Sequence, residues 1–317
     1  MRPLPFITRF SDGIAAVDAE YIRPLLDAIH VIRRGERAAI VDTGTARSVP
    51  YLLAALESLN IAPEAVEYLF ITHVHLDHAG GAGQLMQALP RARAVLHPRA
   101  APHMVDPAKI IAASIGVYGE ETYRRLYGAL LPIDADRIIV TSDGERLELG
   151  GSMFEFAHTP GHALHHQVIV DLDARNIFSG DTFGLSYRQF DVDGRAMILP
   201  TTTPTQFDPA QLLSSIERIV AYRPHSIFLT HYSRIDDVSR LAASLKWQIA
   251  QFVQISEAHA DAPDGRALIR QGMADLWLGL AQEHGCGLPQ SEILELLAAD
   301  LDLNTDGLMA WLSRRRH

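Results

Sequence analysis

The chain has 317 residues, of which 48% are hydrophobic, and it contains a single cysteine. This length allows one large core with an accessory unit, and a lone cysteine excludes a disulfide within the chain. The formal net charge of −10 disfavours nucleic acid as a partner, because nucleic-acid binding needs a basic face. The first ten residues lack the apolar core of a secretory signal and no apolar run could span a bilayer, so we expect a cytoplasmic protein without membrane contact.

Strands and helices alternate in the first hundred residues. The apolar spacing predicts a hairpin, a helix, a buried strand, a short helix and a further strand. Their predicted ranges are 25–32 and 38–41 for the hairpin, then 49–59, 66–71, 84–89 and 94–97. Such alternation is typical of the α/β class.

The segment Thr72–Gly80 has the most distinctive composition in the chain. It places three imidazoles and one carboxylate, those of His73, His75, Asp77 and His78, within six residues. Imidazole and carboxylate are ligands of borderline divalent metals. A buried strand precedes the segment and a glycine turn follows it, so these side chains lie at the carboxyl end of a strand, where sites in α/β proteins form. The sequence therefore predicts a metal site here.

Residues 98–132 interrupt the alternation of strands and helices. They contain helix-like stretches such as Glu120–Tyr127, and we interpret them as an insertion that caps the site. Strands resume at Arg137 and continue, separated by glycine and aspartate turns, to Ser179. Asp208 is the predicted N-cap of a helix that runs through Ile219.

Three later strand ends also close on metal-type ligands. His162 follows a Thr-Pro-Gly turn, Asp181 follows the apolar run 176–180, and His231 follows the apolar run 226–230. Two ions need about eight to ten donors, more than the first segment offers. We therefore expect these three side chains to contribute the missing ligands.

From about residue 238 the chain is predicted to be wholly helical. Helical spacing of Leu, Ile, Trp and Ala covers 239–258, 266–284 and 292–299, with a final short helix over 305–312. We therefore divide the chain into a catalytic domain over 1–238, which includes the cap at 98–132, and a helical extension over 239–317. We expect the extension to pack on the core or on a second subunit, in the latter case as a homodimer formed through its helices.

The motifs together resemble the metallo-β-lactamase-fold superfamily of metal-dependent hydrolases. They are the HxHxDH segment, Thr-Pro-Gly-His, Ser-Gly-Asp and the last histidine, and the resemblance spans roughly residues 10 to 235. It favours the glyoxalase II-like, thioesterase-like or lactonase-like branch. It implies an α/β fold, a four-layer αββα sandwich of two mixed β-sheets, which two strand-rich halves followed by helices also fit.

Carried over residue by residue, the resemblance assigns a role to each motif position. It implies that Asp42, in Val41-Asp42-Thr43-Gly44, orients a ligand imidazole, while the alternative is an ordinary acid in a turn. It implies that one ion is held by His73, His75 and His162, the second by Asp77, His78 and His231, and that Asp181 bridges the two.

The implied cofactors are two divalent metal ions, Zn²⁺ as first choice and Fe²⁺ or Mn²⁺ as alternatives. A hydroxide between them would attack the carbonyl of a thioester, ester or lactone with an apolar acyl part, so the expected partner is a small-molecule substrate. Asp77 is a candidate proton shuttle to the leaving group, and His165 is either a hydrogen-bond donor to the substrate or a structural imidazole. The residues expected to form an apolar acyl-binding wall are Phe183, Leu185, Tyr187, Phe190, Met197 and Ile198.

Two other classes of function stay open. A mononuclear iron sulfur dioxygenase-like oxidoreductase keeps the HxHxDH segment but holds one iron with two histidines and one aspartate. A regulatory or binding protein keeps the fold and acts through contacts of its helical tail. Metal analysis and turnover assays separate both classes from a hydrolase, which we favour because every expected ligand position is filled.

Overall fold

The computed structural model describes residues 5–202 and 205–316. Its contacts divide the chain into two compact units, neither of which is one continuous stretch. The division at residue 238, between a catalytic domain and an extension, stays a prediction, and the compact units follow different bounds. Unit 1 consists of Met1–His158, His165–Gly180 and Pro224–Arg234, and unit 2 of Thr159–Leu164, Asp181–Arg223 and Ile235–His317.

Within the part of the chain that the structure describes, the first sheet contains seven strands. They are β1 (Ile7–Arg9), β2 (Ile14–Asp18), β3 (Ala28–Arg34), β4 (Arg37–Val41), β5 (Val66–Phe70), β6 (Arg93–Leu96) and β7 (Ile138–Val140), in that spatial order. Neighbours are antiparallel from β1 to β4 and parallel from β4 to β7, so the sheet is mixed.

The second sheet contains six strands among the described residues. They are β8 (Glu145–Leu149), β9 (Ser152–His158), β10 (Gln167–Asp171), β11 (Asn176–Gly180), β12 (Ser226–Leu229) and β13 (Ser233–Ile235). Their spatial order is β13-β12-β11-β10-β9-β8. Strands β8 to β11 are antiparallel to their neighbours, while β11 and β12 are parallel, so this sheet is mixed as well.

Helices occur in both units. Those of unit 1 are α1 (Val49–Ser58), α2 (Leu76–Ala79), α3 (Ala82–Ala88), α4 (Ala101–Val105), α5 (Ala108–Tyr118) and α6 (Glu120–Tyr127). Those of unit 2 are α7 (Pro209–Ala221), α8 (Val238–Ala258), α9 (Gly265–His284), α10 (Gln290–Leu296) and α11 (Ala298–Arg315). The predicted insertion over 98–132 thus contains α4, α5 and α6.

Strand β4 shows how the core of unit 1 is built. Ala38 and Ile40 pack among the residues of the α1 to α6 helices, whereas Ala39 and Val41 pack against the second sheet. Successive side chains of a strand point to opposite faces, so a strand that is apolar at every position is buried on both. Full burial of a side chain such as Ile40 contributes about 1.5–3 kcal/mol. The continuous apolar run of β4 therefore favours its central place in the first sheet.

The α/β class, the two mixed sheets and the C-terminal helices predicted from the sequence are confirmed. Asp208 caps α7 as expected, since its carboxylate accepts a hydrogen bond from the Gln211 N–H at 2.9 Å. The C-terminal pattern differs in two respects. The predicted helix over 292–299 is divided at Leu297, and α11 is a single helix from Ala298 to Arg315, where the sequence suggested a break between 299 and 305. None of the described helices combines the length and the hydropathy that a membrane span requires.

Candidate metal centre

The HxHxDH segment follows β5 and turns into the single-turn helix α2. His75 has an extended backbone immediately before α2, which places Asp77 and His78 in its first turn. The carbonyl of His75 accepts a hydrogen bond from the His78 N–H at 3.1 Å. The segment is also bound to the loop after β4, because the Thr43 N–H donates to the carbonyl of His78 at 2.7 Å. These backbone hydrogen bonds therefore fix the positions from which the side chains of the segment project.

Asp77, His78 and His231 form one candidate metal-binding group within unit 1. Their ligand atoms all lie within 4.8 Å of one another. The Asp77 Oδ2 atom is 3.9 Å from Nε2 of His78 and 3.8 Å from Nε2 of His231. Ligand atoms about 2.0–2.1 Å from one zinc ion lie about 3.3 Å apart, so small side-chain rotations bring this group onto an ion. The donor set and its geometry fit a divalent metal.

The outer nitrogen of each imidazole in this group faces a buried carboxylate. Nδ1 of His78 lies 2.8 Å from Oδ2 of Asp42, and Nδ1 of His231 lies 2.7 Å from Oδ1 of Asp27. A carboxylate that accepts the Nδ1–H bond fixes the tautomer of the ring and directs Nε2 towards a metal. Both Nε2 atoms are therefore oriented as candidate ligands by partners that lie outside the group.

Asp42 is a hydrogen-bonding centre and not a surface turn acid. It is buried, and its backbone has the left-handed φ of 58°. Besides His78, its carboxylate accepts hydrogen bonds from the Thr72 N–H at 2.9 Å and from the Thr230 hydroxyl at 3.0 Å. These bonds tie the ends of β5 and β12 to the end of β4, and so hold the strand ends that carry the candidate ligands.

Asp27 supports His231 in the same way, and sequence reasoning missed it. Burial raises the pKa of Asp27 to about 6, and the neighbouring His231 opposes this rise because its positive form favours the carboxylate. The chain gives no motif around Asp27 that would reveal this role. The partnership depends on a contact between residues 204 positions apart, and only the folded chain shows it.

His73 and His75 form a second group in unit 1. Nε2 of His73 lies 2.8 Å from Nδ1 of His75, a distance at which two imidazole nitrogens share a proton or converge on a cation. The ring of His73 is 4.0 Å from the ring of His78, so this pair adjoins the first group. His165 lies beside the pair, with its ring 5.7 Å from that of His75. Its Nδ1 atom is 3.5 Å from the N–H of Val74.

A glycine keeps the floor of the His73 site open. Gly180 ends β11 with a φ of +48°, and a Cβ atom at this position would lie 2.7 Å from Nε2 of His166 and 2.8 Å from Oγ1 of Thr72. The ring of His166 in turn lies 4.8 Å from that of His73. A larger residue in place of Gly180 would therefore displace the groups around His73.

His162 and Asp181, the remaining predicted ligands, belong to unit 2. Nε2 of His162 lies 3.3 Å from Oδ2 of Asp181, and both side chains are buried. Nδ1 of His162 faces the carbonyl of Thr201 at 3.5 Å, which again directs Nε2 towards a ligand position. The turn before His162 needs Gly161, because its φ is +130° and a Cβ would collide with the backbone of Leu212.

A family model for the metallo-beta-lactamase superfamily matches residues 24–231 of the chain. The chain belongs to the metallo-beta-lactamase superfamily. This member is 24% identical over 212 residues to the metallo-beta-lactamase fold-containing protein ST1585 of Sulfurisphaera tokodaii, with 66% of this chain and 73% of the relative covered. The resemblance read from the motifs is confirmed at the level of the superfamily.

Two further comparisons involve other relatives of this superfamily member. It is 30% identical over 205 residues to a hydroxyacylglutathione hydrolase of Xanthomonas euvesicatoria pv. vesicatoria, and the match covers 64% of this chain and 59% of the relative. The solved structure of the metallo-beta-lactamase family protein TTHA1429 from Thermus thermophilus matches with a TM-score of 0.68 at 20% identity. That match covers 96% of this chain and 94% of the other, and it supports the fold alone.

The apolar residues expected to form an acyl-binding wall in this superfamily member are all buried. None of the six side chains between Phe183 and Ile198 named for this role is more than 6% exposed. The hydroxyl of Tyr187 donates to the carboxylate of Asp300 in α11, at 3.1 Å from Oδ1. Tyr187 thus has a structural partner within unit 2, and the acyl-binding role of these residues stays a prediction.

Proposed function

We propose that this protein is a metal-dependent hydrolase that cleaves a thioester, ester or lactone with an apolar acyl part. The observation that carries the proposal is the group of Asp77, His78 and His231, in which both imidazoles have a carboxylate on the outer nitrogen. This arrangement brings two imidazole nitrogens and one carboxylate oxygen within 4.8 Å of one another, and these are ligand types that a divalent ion prefers.

The proposed ligand set comprises two groups around two ions. His78, His231 and Asp77 hold one ion, while Asp42 and Asp27 orient the two imidazoles. The ligand roles of His162 and of Asp181 as a bridge follow from the superfamily resemblance and are part of the proposal. The other ion is assigned to His73, His75 and His162.

Residues near the proposed ions are assigned roles in the proposed reaction. Two divalent ions held by these ligands would lower the pKa of a bound water and would supply hydroxide near neutral pH. Asp77 is the open member of its group, since its side chain is 23% exposed while that of His78 is fully buried. Its carboxylate can therefore both hold an ion and pass a proton to the leaving group. His165, beside His75, is proposed as a hydrogen-bond donor to the substrate.

One of the sequence relatives supports this choice of reaction. A hydroxyacylglutathione hydrolase, as its name states, hydrolyses an acyl derivative of glutathione, which is a thioester, and this chain spans 59% of its length. We therefore rank thioesters first among the substrates, without assigning a glutathione moiety. A cytoplasmic location, Zn²⁺ as the native ion and a homodimer through the C-terminal helices stay predictions.

The test combines metal analysis with a panel of chromogenic thioesters, esters and lactones. We expect about two zinc, iron or manganese ions per chain, turnover of at least one class, loss of turnover with a chelator and its return with Zn²⁺. One iron per chain with oxygen uptake on a persulfide would instead show the oxidoreductase class. A full metal complement without turnover of any member of the panel would favour a binding protein.

A further inference from the structure

Thr72 lies just after β5 and directly before the first histidine of the HxHxDH segment. Its hydroxyl donates to the carboxylate of Asp42, with the oxygen 2.9 Å from Oδ2 and 3.0 Å from Oδ1. The same hydroxyl oxygen lies 3.1 Å from Nδ1 of His73. One hydroxyl group therefore stands between the carboxylate of Asp42 and a predicted metal ligand.

The direction of these hydrogen bonds follows from the single proton of a hydroxyl group. A carboxylate is a stronger acceptor than a neutral imidazole nitrogen, so the Thr72 proton points to Asp42. The lone pairs of the hydroxyl oxygen then face His73, and Nδ1 can bond to them only if it carries a proton. Neutral His73 is thereby protonated on Nδ1 and unprotonated on Nε2, the state in which Nε2 can bind a metal ion.

The surrounding structure fixes the position of the Thr72 hydroxyl. The Thr72 N–H donates to Oδ1 of Asp42 at 2.9 Å, and the Thr72 carbonyl accepts a hydrogen bond from the Gln167 N–H at 2.9 Å. The branched Cβ of threonine also restricts the rotation of its side chain. Because Thr72 and His73 are both fully buried, water does not compete for the bond between them.

Asp42 is thus connected to both groups of candidate ligands in unit 1. It faces His78 of the first group directly, with Oδ2 2.8 Å from Nδ1, and it reaches His73 through the Thr72 hydroxyl. In both cases the contact engages Nδ1 and leaves Nε2 for an ion. Nε2 of His73 lies 2.8 Å from Nδ1 of His75, the other histidine of its pair.

We propose that Thr72 is a positioning residue that relays the carboxylate of Asp42 to His73, so that one carboxylate orients a metal ligand in each group. The inference rests on the ligands of the proposed function and goes beyond them, because it assigns the tautomer of His73 to a side chain that is not itself a ligand. Thr72 acts through His73 and takes no direct part in the reaction. The hydroxyl oxygen carries the relay, so a substitution that keeps the shape of the side chain and removes this oxygen breaks it.

The test compares Thr72→Val with Thr230→Val, a matched control in which the same atoms change. The Thr230 hydroxyl also donates to Oδ2 of Asp42, at 3.0 Å, and both threonines are buried. Each substitution therefore removes one donor from the same carboxylate, and Thr72→Val additionally removes the partner of His73. Thr72→Ser keeps the hydroxyl and serves as the rescue variant.

The first measurement is zinc affinity, determined by competition with a chromophoric chelator. It is made in a His231→Ala background, in which we expect one ion to remain, at the His73 pair. We expect Thr72→Val to lower the affinity about tenfold, as for other orienting partners of metal ligands, while Thr230→Val and Thr72→Ser keep it. Equal affinities of Thr72→Val and Thr230→Val, or an equal loss in Thr72→Ser, would overturn the inference.

The second measurement needs no metal. Long-range ¹H–¹⁵N correlation spectra of the metal-free protein at about pH 8, where ordinary imidazoles are neutral, report the tautomer of each ring. The His73 signals are assigned by their absence in His73→Gln. We expect His73 to carry its proton on Nδ1 in the wild type and in Thr230→Val, and to lose this preference in Thr72→Val. A Thr72→Val ring that keeps the wild-type tautomer would contradict the relay.

Thermal unfolding establishes which variants are folded. A wild-type His73 ring protonated on Nε2 would overturn the inference without any variant, so the test remains decisive if Thr72→Val does not fold. Because neither measurement uses turnover, the inference can fail while the hydrolase proposal stands. It can equally hold when no member of the substrate panel is cleaved.

Discussion

At the scale of single residues, the candidate metal ligands could be predicted from local sequence patterns. The residues that orient these ligands could not. His73, His75, Asp77 and His78 are recognisable because four ligand types fall in one short loop after a strand. The partners that orient the imidazoles come from distant parts of the chain and carry no such pattern. Asp27 is the clearest case, since nothing in its neighbourhood indicates a contact with His231.

Asp27 therefore gives the first prediction at this scale. Asp27→Ala removes the acceptor that fixes the His231 ring, so we expect metal affinity to fall about 10–100-fold, as for other orienting partners of metal ligands. Competition with a chromophoric chelator measures the loss. Asp134→Ala, which truncates an exposed aspartate of unit 1, is the control and should keep the wild-type affinity. Equal metal affinity of Asp27→Ala and the control would show that Asp27 does not support the metal-binding group.

His30 gives a prediction about pH. It is fully buried against Phe178 and Phe228, and burial lowers its pKa from 6.5 to about 3. Between these values the unfolded chain takes up a proton that the folded chain does not, so protonation favours unfolding and stability falls as the pH drops below about 6.5. The contribution is at most one proton, or about 1.4 kcal/mol per pH unit.

The measurement is denaturant unfolding of the wild type and of His30→Gln from pH 7 to pH 4. The variant is expected to be less stable at neutral pH because it loses ring packing, but its stability should decline less steeply with acid. Effects of metal ligands on the slope are common to both proteins. Parallel pH profiles would show that His30 titrates normally in the folded chain.

At the scale of elements, strands and helices with strong apolar patterns were predictable, and α11 was not predicted as a whole. Its first half contains Asp300, Asp302 and Asn304, which are weak helix formers, so the sequence suggested a break there. The structure shows partners for each. Asp300 accepts from Tyr187, Asp302 accepts from Arg270 at 2.7 Å, and Asn304 binds Thr202. Tertiary contacts thus override helix propensity.

Asn304 provides the test of this explanation. Its side-chain oxygen accepts from the Thr202 hydroxyl at 2.7 Å, and both residues are buried. Asn304→Ala leaves the Thr202 hydroxyl without that acceptor, so we expect the free energy of unfolding to fall by about 1–3 kcal/mol. Gln254→Ala, on the exposed surface of α8, should change it by about 0.5 kcal/mol or less. Similar effects of the two substitutions would argue that α11 needs no such partner.

At the scale of the whole molecule, both sheets, apart from Ile235 at the end of β13, belong to unit 1 with five of the predicted ligands. His162 and Asp181 belong to unit 2 together with the C-terminal helices. The sequence favoured a simple division of catalytic core and extension, because the helical pattern begins sharply near residue 238. Contacts between segments that are distant in the sequence determine which residues form a compact unit. Hydrophobic periodicity reflects local structure, so it does not reveal these contacts.

The most direct test of the account is the metal content of purified protein after reconstitution with Zn²⁺. The expected result is about two ions per chain for the wild type, about one for His231→Ala, and about two for His225→Ala, which truncates an exposed histidine. Thermal unfolding establishes that each variant is folded. A wild type that binds no zinc, or a folded His231→Ala protein that retains both ions, would contradict the assignment of Asp77, His78 and His231 as a metal-binding group.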